Sequence, residues 1–127
     1  MPDEIRTFLE EYPPAVRDVA LELREMIRAT LPEAGEALDR SGRVVGYAMG
    51  AGYTGLICTI IPRQTGVKQG IVDGASLPDP QHLMEGTGKR HKYVALTAIA
   101  DLQKVGLRPL LTAAVARLKT KGRAARL

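Results

Sequence analysis

Residues 53–61 read YTGLICTII, and this run decides the kind of fold that the chain can adopt. The run is rich in β-branched and aromatic residues and is bounded by Gly52 and Pro62, which is typical of a buried strand. Similar patterns predict three further strands, at 43–49, 66–72 and 91–97. The centre of the chain therefore predicts a mainly antiparallel sheet of four to five strands.

Helical periodicity flanks this region on both sides. Residues 3–12 and 14–31 place apolar side chains at the i, i+3, i+4, i+7 spacing of a helix face, and prolines end both segments. Residues 107–118 keep the spacing without a gap, with Pro109 in the first turn, where proline is tolerated. A single helical turn is predicted at 81–85. The order of helices and strands predicts an α+β fold in which N-terminal and C-terminal helices pack on the sheet.

Length and composition are those of one globular domain. The chain has 127 residues, of which 45% are hydrophobic and 25% charged. We expect a single domain at 1–120 and a basic, flexible tail at 121–127. No stretch approaches the ~20 apolar residues of a membrane span, and the acidic N-terminus does not resemble a signal peptide, so a cytoplasmic location is expected.

Charge is distributed unevenly along the chain. Residues 1–40 carry ten acidic and five basic side chains, whereas residues 41–127 carry four acidic and thirteen basic ones. This asymmetry favours either attraction between the two halves or a basic ligand face on the second half. Because aromatic residues make up only 4% of the chain and no nucleic-acid-binding motif is present, no specific nucleic-acid partner is expected.

Two runs carry a resemblance to a known family. Gly74–Pro80 reads GASLPDP and Leu83–Arg90 reads LMEGTGKR. Together they resemble the signature of the YdhG-like domain family, a domain of unknown function that includes a frataxin-like intracellular iron chaperone. The resemblance continues in Leu31–Ala34 and covers roughly residues 5–120. It implies helices against an antiparallel sheet and no established catalytic residues. At 45–50 the chain reads VGYAMG, whereas family members commonly carry a Gly-Met-Pro-like turn there.

Three acidic residues of the second predicted helix suggest a metal site. Asp18, Glu22 and Glu25 fall within a ~60° sector opposite the apolar face. Carboxylates spaced in this way repel each other, and a hard cation would relieve the repulsion. The frataxin-like resemblance implies iron as the first candidate, so the leading hypothesis is a non-enzymatic small binding protein similar to a metal chaperone. The alternative is an ordinary solvated helix face whose acids are neutralised by a neighbouring stripe, Arg17, Arg24 and Arg28.

A glycine loop suggests a second kind of ligand. Glycines allow consecutive backbone N–H groups to converge on an anion, and the cationic side chains that follow can bind phosphate. The loop is not a P-loop, because no Ser or Thr follows Lys89. The alternative function is therefore an anion or phosphorylated small-molecule binder through Gly86–Lys92, against the plainer possibility of a turn with solvated charges. The candidate residues are Gly86, Thr87, Gly88, Lys89 and Arg90.

No catalytic constellation is apparent in the sequence. Cys58 lies among aliphatic residues and is predicted to be a buried apolar side chain rather than a nucleophile. His82 and His91, with one cysteine, do not have the spacing of a zinc site. We expect a protein that is not an enzyme and that binds a small ligand or metal ion, with a protein partner left open. A pocket containing these histidines, Asp79 or Glu85 would instead favour a small enzyme.

Overall fold

The computed structural model describes residues 3–49, 55–88, 90–104 and 106–126, with 118–126 described by their backbone alone. Within these residues, two helices precede the sheet and one follows it. The elements are α1 (Glu4–Leu9), α2 (Pro14–Thr30), β1 (Gly35–Asp39), β2 (Val44–Ala48), β3 (Leu56–Pro62), β4 (Val67–Ile71), β5 (Met84–Glu85), β6 (Lys92–Leu96) and α3 (Leu107–Arg126), with 3-10 helices at Gly74–Ser76 and Ile99–Gln103. No helix of the described part is long and apolar enough to cross a membrane.

The strands form one antiparallel sheet in the order β1-β2-β3-β4-β6-β5. The predicted α+β class is confirmed, but the described residues contain six strands rather than four to five. The predicted strands correspond to β2, β3, β4 and β6. Residue 50, and residues 53–54 of the opening run, lie outside the described residues. The helical turn predicted at 81–85 is wrong, because Met84–Glu85 pairs with β6 as β5.

The two strands that the sequence does not predict owe their conformation to their partners. β1 reads GEALD, without a β-branched or aromatic residue, yet it pairs residue for residue with β2. The turn between them is fixed by Asp39, whose carboxylate accepts hydrogen bonds from the Ser41 hydroxyl and the Gly42 N–H, each 3.0 Å long. β5 has only two residues, too few for any periodic signal.

The helices begin at or next to the residues that the sequence predicts. Asp3 caps α1 by accepting the Arg6 N–H, and α2 begins at Pro14 and ends before Pro32, as predicted. α3 begins at Leu107 but continues to Arg126, eight residues beyond its predicted end. Its last turns are rich in Ala, Lys and Arg, which are strong helix formers, and contain no proline. Residues 121–126 of the predicted tail therefore have a helical backbone, and residue 127 lies outside the described residues.

All three helices bear on one face of the sheet, and the core lies between them. Cross-strand partners such as Tyr47 and Cys58, or Val67 and Leu96, share this face and are buried. Cys58 is buried, as the sequence predicts, and burial raises the pKa of its thiol to about 12, so the thiol stays protonated at neutral pH. The opposite face carries half-buried and exposed side chains, including Thr59, Lys68 and Tyr93.

A buried arginine joins both N-terminal helices to the first strands. The guanidinium of Arg24 makes two hydrogen bonds to Glu36, of 2.8 and 3.0 Å, and two to Asp3, of 2.9 and 3.2 Å. The Tyr47 hydroxyl donates to the same Glu36 carboxylate at 2.7 Å. We call Asp3, Arg24, Glu36 and Tyr47 the arginine clamp. Because a buried charge is costly unless it is paired and hydrogen-bonded, the clamp keeps these four side chains in one arrangement.

The clamp also sets the pKa values of its acids. Burial of Glu36 opposes ionisation, but hydrogen bonds from Arg24 and Tyr47 and the nearby arginine charges outweigh it, so its pKa is lowered. The hydrogen bond from Arg24, followed by that from the Arg6 N–H, lowers the pKa of Asp3. Burial, followed by the hydrogen bond to the Glu36 carboxylate, raises the pKa of the Tyr47 hydroxyl, so it remains a donor.

Replacing Arg24 with Met should destabilise the protein strongly. The change leaves the half-buried Glu36 carboxylate without its cationic partner, and loss of one partner of a fully buried pair costs about 3–5 kcal/mol of the free energy of unfolding, which is the upper bound here. Urea denaturation followed by circular dichroism measures the loss. Arg17→Met, on the exposed side of the same helix, is the matched control and should change stability by less than about 1 kcal/mol. An equal, small effect of both changes would contradict the role of the clamp.

Glu36→Gln should make the free energy of unfolding less dependent on pH in the acidic range. A lowered folded-state pKa contributes stability that is present above the ordinary value of about 4.3 and is lost as pH falls through the folded value. The wild type should therefore lose free energy of unfolding more steeply than the variant below about pH 5. Thermal unfolding from pH 7 downwards measures this difference. Glu33→Gln, exposed in the turn before β1, should keep the wild-type slope, and a wild-type slope in Glu36→Gln would refute the assignment.

Candidate functional site

The segment that contains the runs GASLPDP and LMEGTGKR follows β4 and leads the chain to β5 and β6. After β4 the chain turns at Asp73, which has a φ of 57°, into the 3-10 helix Gly74–Ser76. Gly74 is buried, and a Cβ there would lie 2.9 Å from the Cβ of Lys92, so only glycine fits without a shift. The Ala75 N–H donates to the Arg90 carbonyl at 3.0 Å. The two runs, GASLPDP and LMEGTGKR, are therefore in direct contact.

Asp79 organises the chain between the two runs. Its carboxylate accepts hydrogen bonds from the backbone N–H groups of Leu83 and Met84, each 2.9 Å long. This contact leads the chain into β5 across a turn in which His82 has a φ of 52°. Both oxygens of the Asp79 carboxylate are thus used in shaping the backbone. This is a structural role, and sequence spacing alone does not distinguish it from a catalytic one.

The predicted anion loop follows β5 and is exposed. Gly86, Thr87 and Gly88 are exposed, whereas Lys89 lies outside the described residues. Gly86 has a φ of +114° and rests on Tyr93: a Cβ there would lie 3.1 Å from a carbon of the ring. The Lys92 ammonium donates to the Gly86 carbonyl at 2.7 Å, so one of the predicted cations is held against the loop.

Arg90 stands at the end of the loop and is tied to the preceding turn. Its Nε donates a hydrogen bond to the Asp73 carboxylate, although 58% of the arginine side chain remains exposed. The Nδ1 of His91 accepts the Asp73 N–H at 3.2 Å. The structure therefore brings Lys92 to Gly86, and it pairs Arg90 with an acidic partner from 17 residues earlier in the chain.

A lysine from the neighbouring strand adds to the positive charge near the loop. The Lys68 ammonium lies 4.3 Å from the centroid of the Tyr93 ring, a cation–π contact on the uncovered face of the sheet. Gly86 packs against the same ring. Lys68 is not among the predicted site residues, because only the pairing of β4 with β6 brings it beside Tyr93. We call Gly86–Gly88, Arg90, Lys92 and Lys68 the loop site.

The predicted metal ligands are not gathered into a site. Asp18, Glu22 and Glu25 are exposed on α2, as expected, and the Asp18 carboxylate accepts a hydrogen bond from the Arg17 Nε at 3.1 Å. The described residues contain no group of three or more His, Cys, Asp or Glu placed to hold a metal ion. The expectation that Arg24 neutralises this stripe is wrong, because Arg24 points inward to Asp3 and Glu36.

The arginine clamp is not predicted from the sequence, although the position of Arg24 in α2 is a signal for it. Arg24 lies four residues after Ala20 and three before Ile27, within the buried stripe of α2. A charged residue in that position is either at the edge of the stripe or buried with a partner. The partners are 21 residues before and 12 residues after it, in regions without a recognisable pairing pattern.

No family model, no curated protein and no solved structure matches the chain.

Gln69 is a buried polar side chain that the loop site does not use. It lies on the helix-covered face of β4, between Ile60 and Val94, and is fully buried. Its amide has no nitrogen or oxygen partner among the described residues, and its hydrogen bond is with the Cys58 thiol, a weak sulfur partner. A buried polar atom without a partner costs about 1–3 kcal/mol, and the weak thiol contact offsets only part of this cost.

Gln69→Met should stabilise the protein. Methionine has a similar shape and removes the two polar atoms, so the free energy of unfolding should rise by about 1 kcal/mol or more. Chemical denaturation at pH 7 measures the change. Gln64→Met, exposed in the turn between β3 and β4, is the control and should leave stability within about 0.5 kcal/mol. Destabilisation by Gln69→Met would instead mean that the amide has a partner in solution.

Proposed function

We propose that the protein is a non-enzymatic small binding protein that takes an anion or a phosphorylated small molecule at the loop site. The observation that supports this proposal is the exposed glycine backbone of Gly86–Gly88 flanked by Arg90 and Lys92. Exposed backbone N–H groups suit phosphate oxygens, and a guanidinium adds charge-assisted hydrogen bonds.

The anchoring of the loop favours binding without a large rearrangement. Three hydrogen bonds hold the segment in place: Lys92 to the Gly86 carbonyl, Ala75 to the Arg90 carbonyl, and the Asp73 N–H to His91. A ligand that meets a preformed site loses less free energy to the ordering of the protein. The Asp73 carboxylate beside Arg90 competes with an incoming anion, so binding should be selective for ligands of high charge density, such as pyrophosphate.

Iron binding remains a prediction from the family resemblance. On α2, Asp18, Glu22 and Glu25 offer exposed oxygen ligands along one helix face. No further described side chain of ligand type joins them as a group, so a cation there would depend on water for much of its coordination. The cytoplasmic location is likewise a prediction.

Pyrophosphate should bind the loop site in a saturable way. We expect chemical-shift changes in a ¹H–¹⁵N NMR titration to centre on the amides of Gly86, Thr87, Gly88 and Arg90. The double change Arg90→Gln and Lys92→Gln removes two cations and should weaken binding about tenfold or more. Arg63→Gln, which removes one exposed cation in the turn between β3 and β4, is the control and should bind as the wild type does.

Two results would reject the loop site. One is an equal loss of affinity in Arg63→Gln, because general surface charge would then explain the binding. The other is a set of shifts spread over the exposed arginines rather than confined to Gly86–Lys92. A separate anaerobic sample with ferrous iron tests the metal hypothesis: signal broadening confined to Asp18, Glu22 and Glu25 would move the assignment to α2.

A further inference from the structure

The C-terminal helix carries charge of one sign only. α3 spans Leu107–Arg126 and contains six basic residues and no acidic one. Asp101 is the last acidic residue of the sequence, so the stretch of chain that forms α3 contains no carboxylate side chain that could neutralise it. The basic residues of α3 are Arg108, Arg117, Lys119, Lys121, Arg123 and Arg126.

One side of α3 packs on the core, and another side faces solvent. Arg108, Thr112 and Ala116 follow one another at a spacing of four residues, and all three are exposed. Arg117 is exposed as well, and neither it nor Arg108 forms an ion pair with any residue that the structure describes. These two guanidinium groups can therefore meet an anionic partner. The buried side chains of the helix are Leu107, Leu110, Leu111 and Ala114.

The exposed side of α3 continues along the helical backbone to its end. An α-helix turns about 100° per residue, which places positions 119, 123 and 126 after position 116 on the same side of the helix. The cations on this side fall within a sector of about 60°, away from the buried stripe, and extend over about 27 Å of the helix axis. They are Arg108, Lys119, Arg123 and Arg126, which we call the basic row.

The composition of this side of α3 favours a phosphate backbone over a protein or a membrane. Protein interfaces depend on aromatic or large apolar anchors, and besides the basic row this side has only Thr112 and Ala116. A helix that lies on a membrane inserts an apolar face, but the apolar stripe of α3 is already buried in the core. Binding to a nucleic-acid backbone, in contrast, is driven by an array of cations that releases counterions from the phosphates.

We infer that the basic row binds the phosphate backbone of double-stranded DNA without sequence preference. Duplex DNA carries one negative charge about every 1.7 Å along its axis, so a row of this length meets several phosphates. The chain has no aromatic residue after Tyr93, so α3 offers no ring on which the bases of a single strand could stack. The major groove of B-form DNA admits a helix, whereas that of A-form RNA is too narrow.

The test titrates the full-length protein into two fluorescently labelled DNA duplexes of unrelated sequence, each of about 20 base pairs, and follows the anisotropy. Phosphate contacts carry no sequence information, so the two affinities should agree within about threefold. Four phosphate contacts predict a slope of about −3.6 in a plot of the logarithm of affinity against the logarithm of salt concentration. The affinity should therefore fall about fiftyfold between about 50 and 150 mM NaCl.

Variants of the basic row separate its charge from its helical structure. The triple change Lys119→Gln, Arg123→Gln and Arg126→Gln should reduce the slope to about −0.9 and weaken binding at about 50 mM NaCl by tenfold or more. The charge-conserving triple change Lys119→Arg, Arg123→Lys and Arg126→Lys should bind as the wild type does. Loss of binding in this second variant would contradict the role of charge.

A matched control removes three cations elsewhere on the surface. Arg6→Gln, Arg40→Gln and Arg63→Gln change exposed arginines outside α3, and this triple variant should keep the wild-type salt slope. An equal loss of affinity in the control would show that net charge alone explains the binding. Arg90→Gln with Lys92→Gln removes cations of the loop site and should leave the DNA affinity within about threefold, so the two proposals can fail separately.

Several outcomes would overturn the inference. No change in anisotropy up to about 100 µM protein at about 50 mM NaCl would exclude DNA binding of the usual non-specific strength. Equal affinity for duplex RNA or for poly-L-glutamate would mean that any polyanion is accepted. Tighter binding to vesicles that contain phosphatidylserine would identify a membrane surface as the partner instead. A preference of more than about tenfold for one duplex would indicate that bases are read rather than the backbone.

Discussion

The N-terminal half of the structure depends on one buried guanidinium. Arg24 is bonded on one side to Asp3, which caps α1, and on the other to Glu36 in β1, which in turn accepts from Tyr47 in β2. Because an unpaired charge in this position would be costly, all four side chains must be correctly placed at once. The sequence of β1 has little preference for a strand. Its contact with the clamp through Glu36 therefore helps to stabilise the strand conformation.

Residues that act locally could be predicted from the sequence, and residues that act through distant partners could not. The strand at Leu56–Pro62 and the helix at Pro14–Thr30 follow from β-propensity, periodicity and proline positions. The exposure of Gly86–Gly88 was also predictable from composition. In contrast, β1 depends on its pairing with β2, and the contact of Arg90 with Asp73 depends on how residues 73–80 and 83–90 fold together. Periodicity carries no information about such pairings.

The uneven charge of the sequence is reflected in where the ion pairs lie. Among the ion pairs of the described residues, those of the acidic N-terminal part are largely internal to it, as in the arginine clamp. The pair between Arg43 and Glu11 links this part to the basic remainder, and Arg43 also stacks on Phe8 and Tyr12. Attraction between the acidic N-terminal part and the basic remainder therefore accounts for only a small share of the ion pairs in the described residues.

The two edges of the sheet differ in the length of backbone that they expose and in the side chains beside it. At the β5 edge the strand is short and a glycine loop covers it, so what remains exposed is loop backbone beside cationic side chains, which suits an anion. At the β1 edge a five-residue strand lies beside carboxylates that are already paired, Asp3 and Glu36 with Arg24 and Glu4 with Arg40. Four strands separate these edges, so occupation of one leaves the other sterically free.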